Sequence, residues 1–151
     1  IRGSEENNPE NIQKLLNHTK WFVEIDLWYL NKKLILSHDP VTDPIYEVDK
    51  DFLTQPKLFI HCKNIEALEI CVKLHIEHFF SHDKDPAVLT SSRYIWTYPD
   101  GKLPITNYSI PVVLPRQFDL LSGNWSLEQL SKCAGICTDE PKYYDELFNR
   151  S

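Results

Sequence analysis

The chain has 151 residues, which fits a single domain large enough to bury a hydrophobic core. Hydrophobic residues make up 42% of it and charged residues 25%, the composition of an ordinary soluble globular protein. The net charge of −6 argues against nonspecific binding to nucleic acid, and no apolar run reaches the ~18 residues of a membrane-spanning helix. We therefore predict one domain over 1–151, with neither a nucleic-acid partner nor a membrane span.

The four cysteines are widely spaced and form no C-x-x-C pair; they are Cys62, Cys71, Cys133 and Cys137. Such spacing indicates neither a structural zinc site nor a disulfide scaffold. We expect reduced, buried thiols in a cytoplasmic protein. Because the sequence begins at Ile1 and contains no Met, we expect its start to be processed or trimmed, which leaves an upstream targeting segment open.

Helix and strand signals alternate in the first half of the chain. They predict a helix over 9–19, strands over 21–30 and 34–39 around a turn at 31–33, a strand over 57–63, a helix over 64–76 and a short strand over 78–83. In the second of these helices Asn64 is the expected N-cap. The buried face of that helix is predicted from the spacing of its aliphatic residues, Ile65, Leu68, Val72 and Ile76.

The second half contains further strand signals and two helix signals. The patterns predict strands over 87–91, 94–101, 108–115 and 135–139, and helices over 126–133 and 143–148. Repeated β-then-α units predict an α/β protein with a parallel sheet or barrel. Since a TIM barrel takes about 250 residues, a barrel of this length must have reduced or missing helices.

Alternation along two predicted strands brings polar side chains to one face. Glu24 and Asp26 share a face of the first strand, and His61 and Lys63 share a face of the strand over 57–63. In a barrel these faces point inward, toward the C-terminal mouth, where His38 at the end of its own strand also reaches. Two carboxylates are tolerable there if they share a cation.

Each of these features also has a simpler structural interpretation. An E-x-D pair is common on the solvent-facing side of a strand, and a His-Asp pair at a strand end commonly forms a turn. His61 fits a core histidine that has its hydrogen-bond partners, Lys63 an exposed strand end, and His82 the start of a loop. The spacing alone leaves these alternatives open.

Six short motifs, however, occur in a characteristic order. They are Arg2-Gly3, Pro9-Glu10-Asn11-Ile12, Glu24-Ile25-Asp26, His38-Asp39, His61-Cys62-Lys63 and Gly135-Ile136-Cys137-Thr138-Asp139-Glu140-Pro141. The order resembles that of the glycerophosphodiester phosphodiesterases and their superfamily, whose members have a phosphatidylinositol-phospholipase-C-like TIM barrel. The segments "KLFIHCKN", "FFSHD" and "LTSSRYIWTYPDG" resemble a compact, uncharacterised branch of that superfamily. The resemblance implies a compact TIM-type (β/α) barrel with reduced or missing helices.

The same resemblance implies a metal-dependent phosphodiesterase that hydrolyses a glycerophosphodiester-like or other small phosphodiester. Glu24 and Asp26 correspond to carboxylates that hold a divalent ion, which would be Mg, Ca or Mn. His61 stands where the family has its third carboxylate, and an imidazole ligand shifts the expected preference toward Mn or Zn, unless the third ligand is lost and the site degraded.

Acid–base and phosphate-binding residues are also implied by the resemblance. His38 corresponds to an acid–base residue, and Arg2 and Lys63 correspond to phosphate contacts. Ile1 stands where the family has its first catalytic histidine, so His82 would have to take over the role of that histidine. Two alternatives therefore stay open: a catalytically degraded barrel that binds a phosphate or sugar phosphate, and a purely structural or interaction protein.

Overall fold

The computed structural model describes residues 7–99, 103–113 and 125–149, so Ile1 and Arg2 lie outside the described residues. The chain divides into two compact units, one up to Asp83 and one from Lys84 onwards. A single domain over 1–151 stays a prediction.

The first unit is built on a five-stranded mixed sheet. Its described elements, in chain order, are α1 (Pro9–His18), β1 (Val23–Leu30), β2 (Lys33–Leu36), β3 (Tyr46–Val48), α2 (Lys50–Leu53), β4 (Leu58–Cys62), α3 (Ile65–Lys73) and β5 (Phe79–Phe80). The strand order is β3-β2-β1-β4-β5, in which β1 runs antiparallel to β2 and parallel to β4. The elements predicted here are confirmed to within a few residues at their ends, whereas β3 and α2 were not predicted.

A tight turn joins β1 to β2. Asn31 and Lys32 have φ values of 51° and 63°, the left-handed pair that a two-residue type I′ hairpin requires. The turn folds β2 back beside β1, and β3 then adds to β2 in the antiparallel sense. This part of the sheet is therefore a meander rather than a series of parallel crossovers.

One face of the first sheet packs against the helices and forms the apolar core. Its buried members come from all three helices and from β1, β2 and β4; they are Ile12, Leu16, Ile25, Leu27, Leu34, Leu36, Leu53, Leu58, Ile60, Cys62, Ala67 and Cys71. Burial of this apolar surface is the main stabilising contribution to the unit.

The buried face predicted for the helix over 64–76 is partly wrong: Leu68 and Ile76 pack against the core, but Val72 is 57% exposed. Ala67 and Cys71 are fully buried, whereas Ile65 is 71% exposed. The Asn64 side chain caps the helix and also exchanges two hydrogen bonds with the backbone of Tyr29, at 3.1 and 2.9 Å. These bonds fix the rotation of α3 so that Ala67 and Cys71 are its most deeply buried residues.

The second unit contains a four-stranded sheet. Its described elements are β6 (Ala87–Leu89), β7 (Ile95–Thr97), β8 (Ser109–Val113), α4 (Leu127–Ser131), β9 (Cys137–Thr138) and α5 (Pro141–Phe148). The order is β6-β7-β8-β9, with only the β6–β7 pair antiparallel among these described strands. No helix within the described ranges is long and apolar enough to cross a bilayer.

The predicted TIM-type barrel is wrong. The described strands form two mixed sheets of five and four strands, each with two edge strands, and neither sheet closes on itself. The β1–β2–β3 meander connects three strands without the crossover helices that a (β/α) barrel requires. Strands β5 and β9 contain only two residues each. The chain is thus a mixed α/β protein, and any site on β1 and β4 lies on a sheet face rather than at the mouth of a barrel.

Candidate metal centre

The face of the first sheet opposite the core carries polar and aromatic side chains. Parallel pairing of β1 with β4 places Asp26 beside His61 and Ile25 beside Ile60. Ile25 and Ile60 point into the core, so Asp26 and His61 point to the other face together with Glu24. The shared face predicted for Glu24, Asp26 and His61 is confirmed.

These three side chains converge on one point. His61 Nδ1 lies 3.1 Å from Asp26 Oδ1 and 3.8 Å from Glu24 Oε1, and one ligand atom from each residue lies within 4.8 Å of the others. Around a tetrahedral ion with bonds near 2.0–2.2 Å, ligand atoms are about 3.4 Å apart. Both distances from His61 Nδ1 lie close to that separation, which is the geometric basis for a cation site here.

The second carboxylate oxygen of Asp26 is held from the other side. Asp26 Oδ2 accepts a hydrogen bond from Asn7 Nδ2 at 3.1 Å and lies 3.4 Å from His38 Nδ1. Asn7 Oδ1 in turn accepts from the Asp26 backbone N–H at 2.8 Å. One oxygen is thus anchored by Asn7, while the other faces His61.

Asp26 is ionised despite being buried. Burial raises the pKa of its carboxyl group, but hydrogen bonds from His61 and Asn7, with the positive charges of His61 and Lys63, outweigh that effect and hold the pKa below its ordinary value. The carboxylate form is the one that a metal ion requires.

The ring of His61 is oriented by two further contacts. Its Nε2 lies 3.3 Å from the backbone carbonyl oxygen of His82, and its ring stacks on Phe80 with a centroid distance of 5.0 Å. Since a carbonyl only accepts, we assign the proton to Nε2. Nδ1 is then the ring nitrogen that faces the two carboxylates, as in metal-ligating histidines, and an ion bound there would replace the proton of the His61–Asp26 hydrogen bond.

The remaining predicted site residues differ in how close they lie to this centre. His38 contacts Asp26, and its side chain is 61% exposed. His82 contributes its carbonyl, and its ring centroid lies 5.9 Å from that of His61. Lys63 acts on Asp26 through its charge. Arg2 lies outside the described residues. The turn expected at His38-Asp39 is confirmed, because Asp39 Oδ1 accepts a hydrogen bond from the Val41 backbone N–H.

Two residues near the centre were not predicted. Asn7 is buried, has a φ of 63° and precedes the N-cap of α1. Asparagine tolerates this left-handed conformation better than most residues, but the sequence does not indicate that its side chain reaches β1. Ser37, between β2 and His38, is also buried.

No protein-family model, curated protein or solved structure matches the chain. The resemblance to the glycerophosphodiester phosphodiesterases therefore stays a prediction that depends on the order of the motifs.

Proposed function

We propose that the chain binds one divalent transition-metal ion through Glu24, Asp26 and His61. The observation that carries this proposal is the convergence of their three ligand atoms within 4.8 Å on a sheet face. Two carboxylates and an imidazole suit Mn or Zn better than Ca or Mg, which prefer oxygen ligands throughout. Three protein ligands leave coordination positions for water or a substrate.

We further propose that the centre hydrolyses a small, glycerophosphodiester-like phosphodiester. When bound, a divalent ion neutralises phosphoryl oxygens and lowers the pKa of a bound water molecule. In this proposal His38 delivers a proton to the leaving alkoxide, a role supported by its exposed ring and its contact with Asp26. The charge of Lys63 beside the centre favours binding of the phosphate anion.

The order of the motifs supports a phosphodiester as the substrate. The predicted barrel does not contribute to this argument, because the structure contains no barrel among its described residues. The alternative is a protein that binds a phosphate compound without hydrolysing it. Such a protein would share the metal centre but would show no turnover for His38→Ala to reduce. The four free cysteines, two of them buried, support the predicted cytoplasmic location.

The test is hydrolysis of a chromogenic phosphodiester after chelation and after re-addition of Mn²⁺, Zn²⁺, Mg²⁺ or Ca²⁺. We expect turnover that chelation abolishes, that Mn²⁺ or Zn²⁺ restores, and that His38→Ala lowers by roughly 10²–10⁴-fold. The matched control is His18→Ala, at an exposed position in the last turn of α1.

Activity that survives both chelation and His38→Ala would contradict the proposal. Metal binding without any turnover would contradict the hydrolytic part and favour a phosphate-binding protein.

A further inference from the structure

Ser37 has hydrogen-bonded backbone groups, but its hydroxyl group has no partner among the described residues. Its N–H donates to the Asp26 carbonyl oxygen at 3.3 Å, and its carbonyl oxygen accepts from Trp28 Nε1 at 2.9 Å. The residue is 1% exposed, and Ser37 Oγ has no hydrogen-bond partner among the described residues. A buried hydroxyl that has left water without gaining a hydrogen bond is destabilising.

The pairing of β1 with β2 locates this hydroxyl. The antiparallel register sets Leu27 opposite Leu36, so the next pair along is Asp26 opposite Ser37. Directly opposed residues lie on the same face of a sheet, with Cβ atoms about 4.5–5.5 Å apart. Ser37 Oγ is therefore on the face that carries the metal centre, beside one of its ligands.

We propose that Ser37 is a positioning residue whose Oγ accepts a hydrogen bond from a water molecule on the ion held by Glu24, Asp26 and His61. This inference rests on the proposed metal binding. A metal-bound water donates both of its protons, so it would supply the partner that Ser37 Oγ lacks among the residues the structure describes. The hydrogen bond would fix the orientation of that water relative to the ion, the role that groups around a metal's ligands commonly have.

The experiment compares the wild-type protein with Ser37→Ala and uses Ser109→Ala as the control. Ser109 is also 1% exposed, but its hydroxyl accepts from the Thr106 backbone N–H at 2.8 Å. In the metal-free proteins we expect Ser37→Ala to keep or raise the melting temperature and Ser109→Ala to lower it. Both variants are then titrated with Mn²⁺, and the water-proton relaxation rate per bound ion is measured at saturation.

We expect Ser37→Ala to bind Mn²⁺ about tenfold more weakly and to change the relaxation rate per bound ion, while Ser109→Ala matches the wild type in both. If the wild type binds Mn²⁺ and Ser37→Ala matches it in affinity and relaxation, the role of Ser37 is wrong and the metal centre stands. If the wild type binds no Mn²⁺, both proposals are wrong.

Discussion

His61 and Asp26 face each other across two parallel strands, with Nδ1 and Oδ1 3.1 Å apart. Each side chain also makes a second contact: His61 with the backbone carbonyl of His82, and Asp26 with the side chain of Asn7. Because these outer contacts fix both groups, the two ligand atoms are already in position, which would lower the free-energy cost of binding an ion there.

Asn7 is expected to matter for both metal affinity and stability. Asn7→Gly keeps a residue that tolerates a φ of 63° but removes the two hydrogen bonds to Asp26. We expect a loss of about 1–3 kcal/mol in the free energy of unfolding and metal affinity about 10–100-fold lower. Denaturant unfolding and Mn²⁺ titration measure the two effects.

The control for this change is Asn17→Gly at an exposed position in α1, where glycine itself costs roughly 1 kcal/mol. Equal metal affinity in Asn7→Gly and the wild type would show that Asn7 does not position Asp26.

Asp26 should make the metal-free protein sensitive to acid. Its pKa in the folded state lies below the unfolded value of about 3.9, so the unfolded state binds the proton more readily. The stabilisation is therefore present above about pH 4 and is lost as pH falls through the folded pKa. Asp26→Asn should show a shallower decline over that range when unfolding is followed in the presence of chelator.

Asp43→Asn, at an exposed loop position, is the control and should follow the wild-type acid curve. An Asp26→Asn variant with the wild-type acid dependence would mean that Asp26 has no lowered pKa.

The orientation of α3 can be tested with two isoleucines. Ile25 on β1 is fully buried, while Ile65 is 71% exposed. Ile25→Ala should lower the free energy of unfolding by about 2–5 kcal/mol, because it leaves a cavity in the core. Ile65→Ala should change it by less than about 0.5 kcal/mol. A large loss for Ile65→Ala in denaturant unfolding would instead favour the face expected from the sequence.

The shared face of Glu24, Asp26 and His61 could be predicted because strand alternation does not depend on topology. Glu24 and Asp26 share a face of β1 in any sheet, and His61 joins them once β4 lies beside β1 in parallel. The barrel was a wrong prediction because it required β2 to continue a series of crossovers. The Asn31-Lys32 turn reverses the chain instead.

Contacts between distant parts of the sequence account for the other differences. The bonds from Asn64 to Tyr29 fix a rotation of α3 in which Ile65 and Val72, two residues of the predicted buried face, are exposed. Asn7 reaches Asp26 across 19 positions of the sequence, and neither residue's local pattern signals that contact. Ser37 becomes informative only when its burial and its lack of a partner among the described residues are known.

The cysteines should fall into two classes of reactivity. Cys62 and Cys71 are fully buried, with their sulfur atoms 3.6 Å apart, and the hydrogen bond that the Cys62 thiol donates to Cys71, together with burial, raises the pKa of Cys62. Cys133 and Cys137 are partly exposed. A thiol-reactive chromogenic disulfide should therefore modify the latter two in the native protein and all four in denaturant. Rapid modification of all four thiols in the native state would contradict the buried pair.

The most direct test of the metal centre is calorimetric titration of the chelator-treated protein with Mn²⁺ and with Zn²⁺. We predict one ion per chain in the wild type. Affinity should fall at least tenfold in Asp26→Asn and stay unchanged in Glu47→Gln, which alters an exposed carboxylate on β3. Absence of binding by the wild type, or equal affinity in Asp26→Asn and the wild type, would contradict a metal site at Glu24, Asp26 and His61.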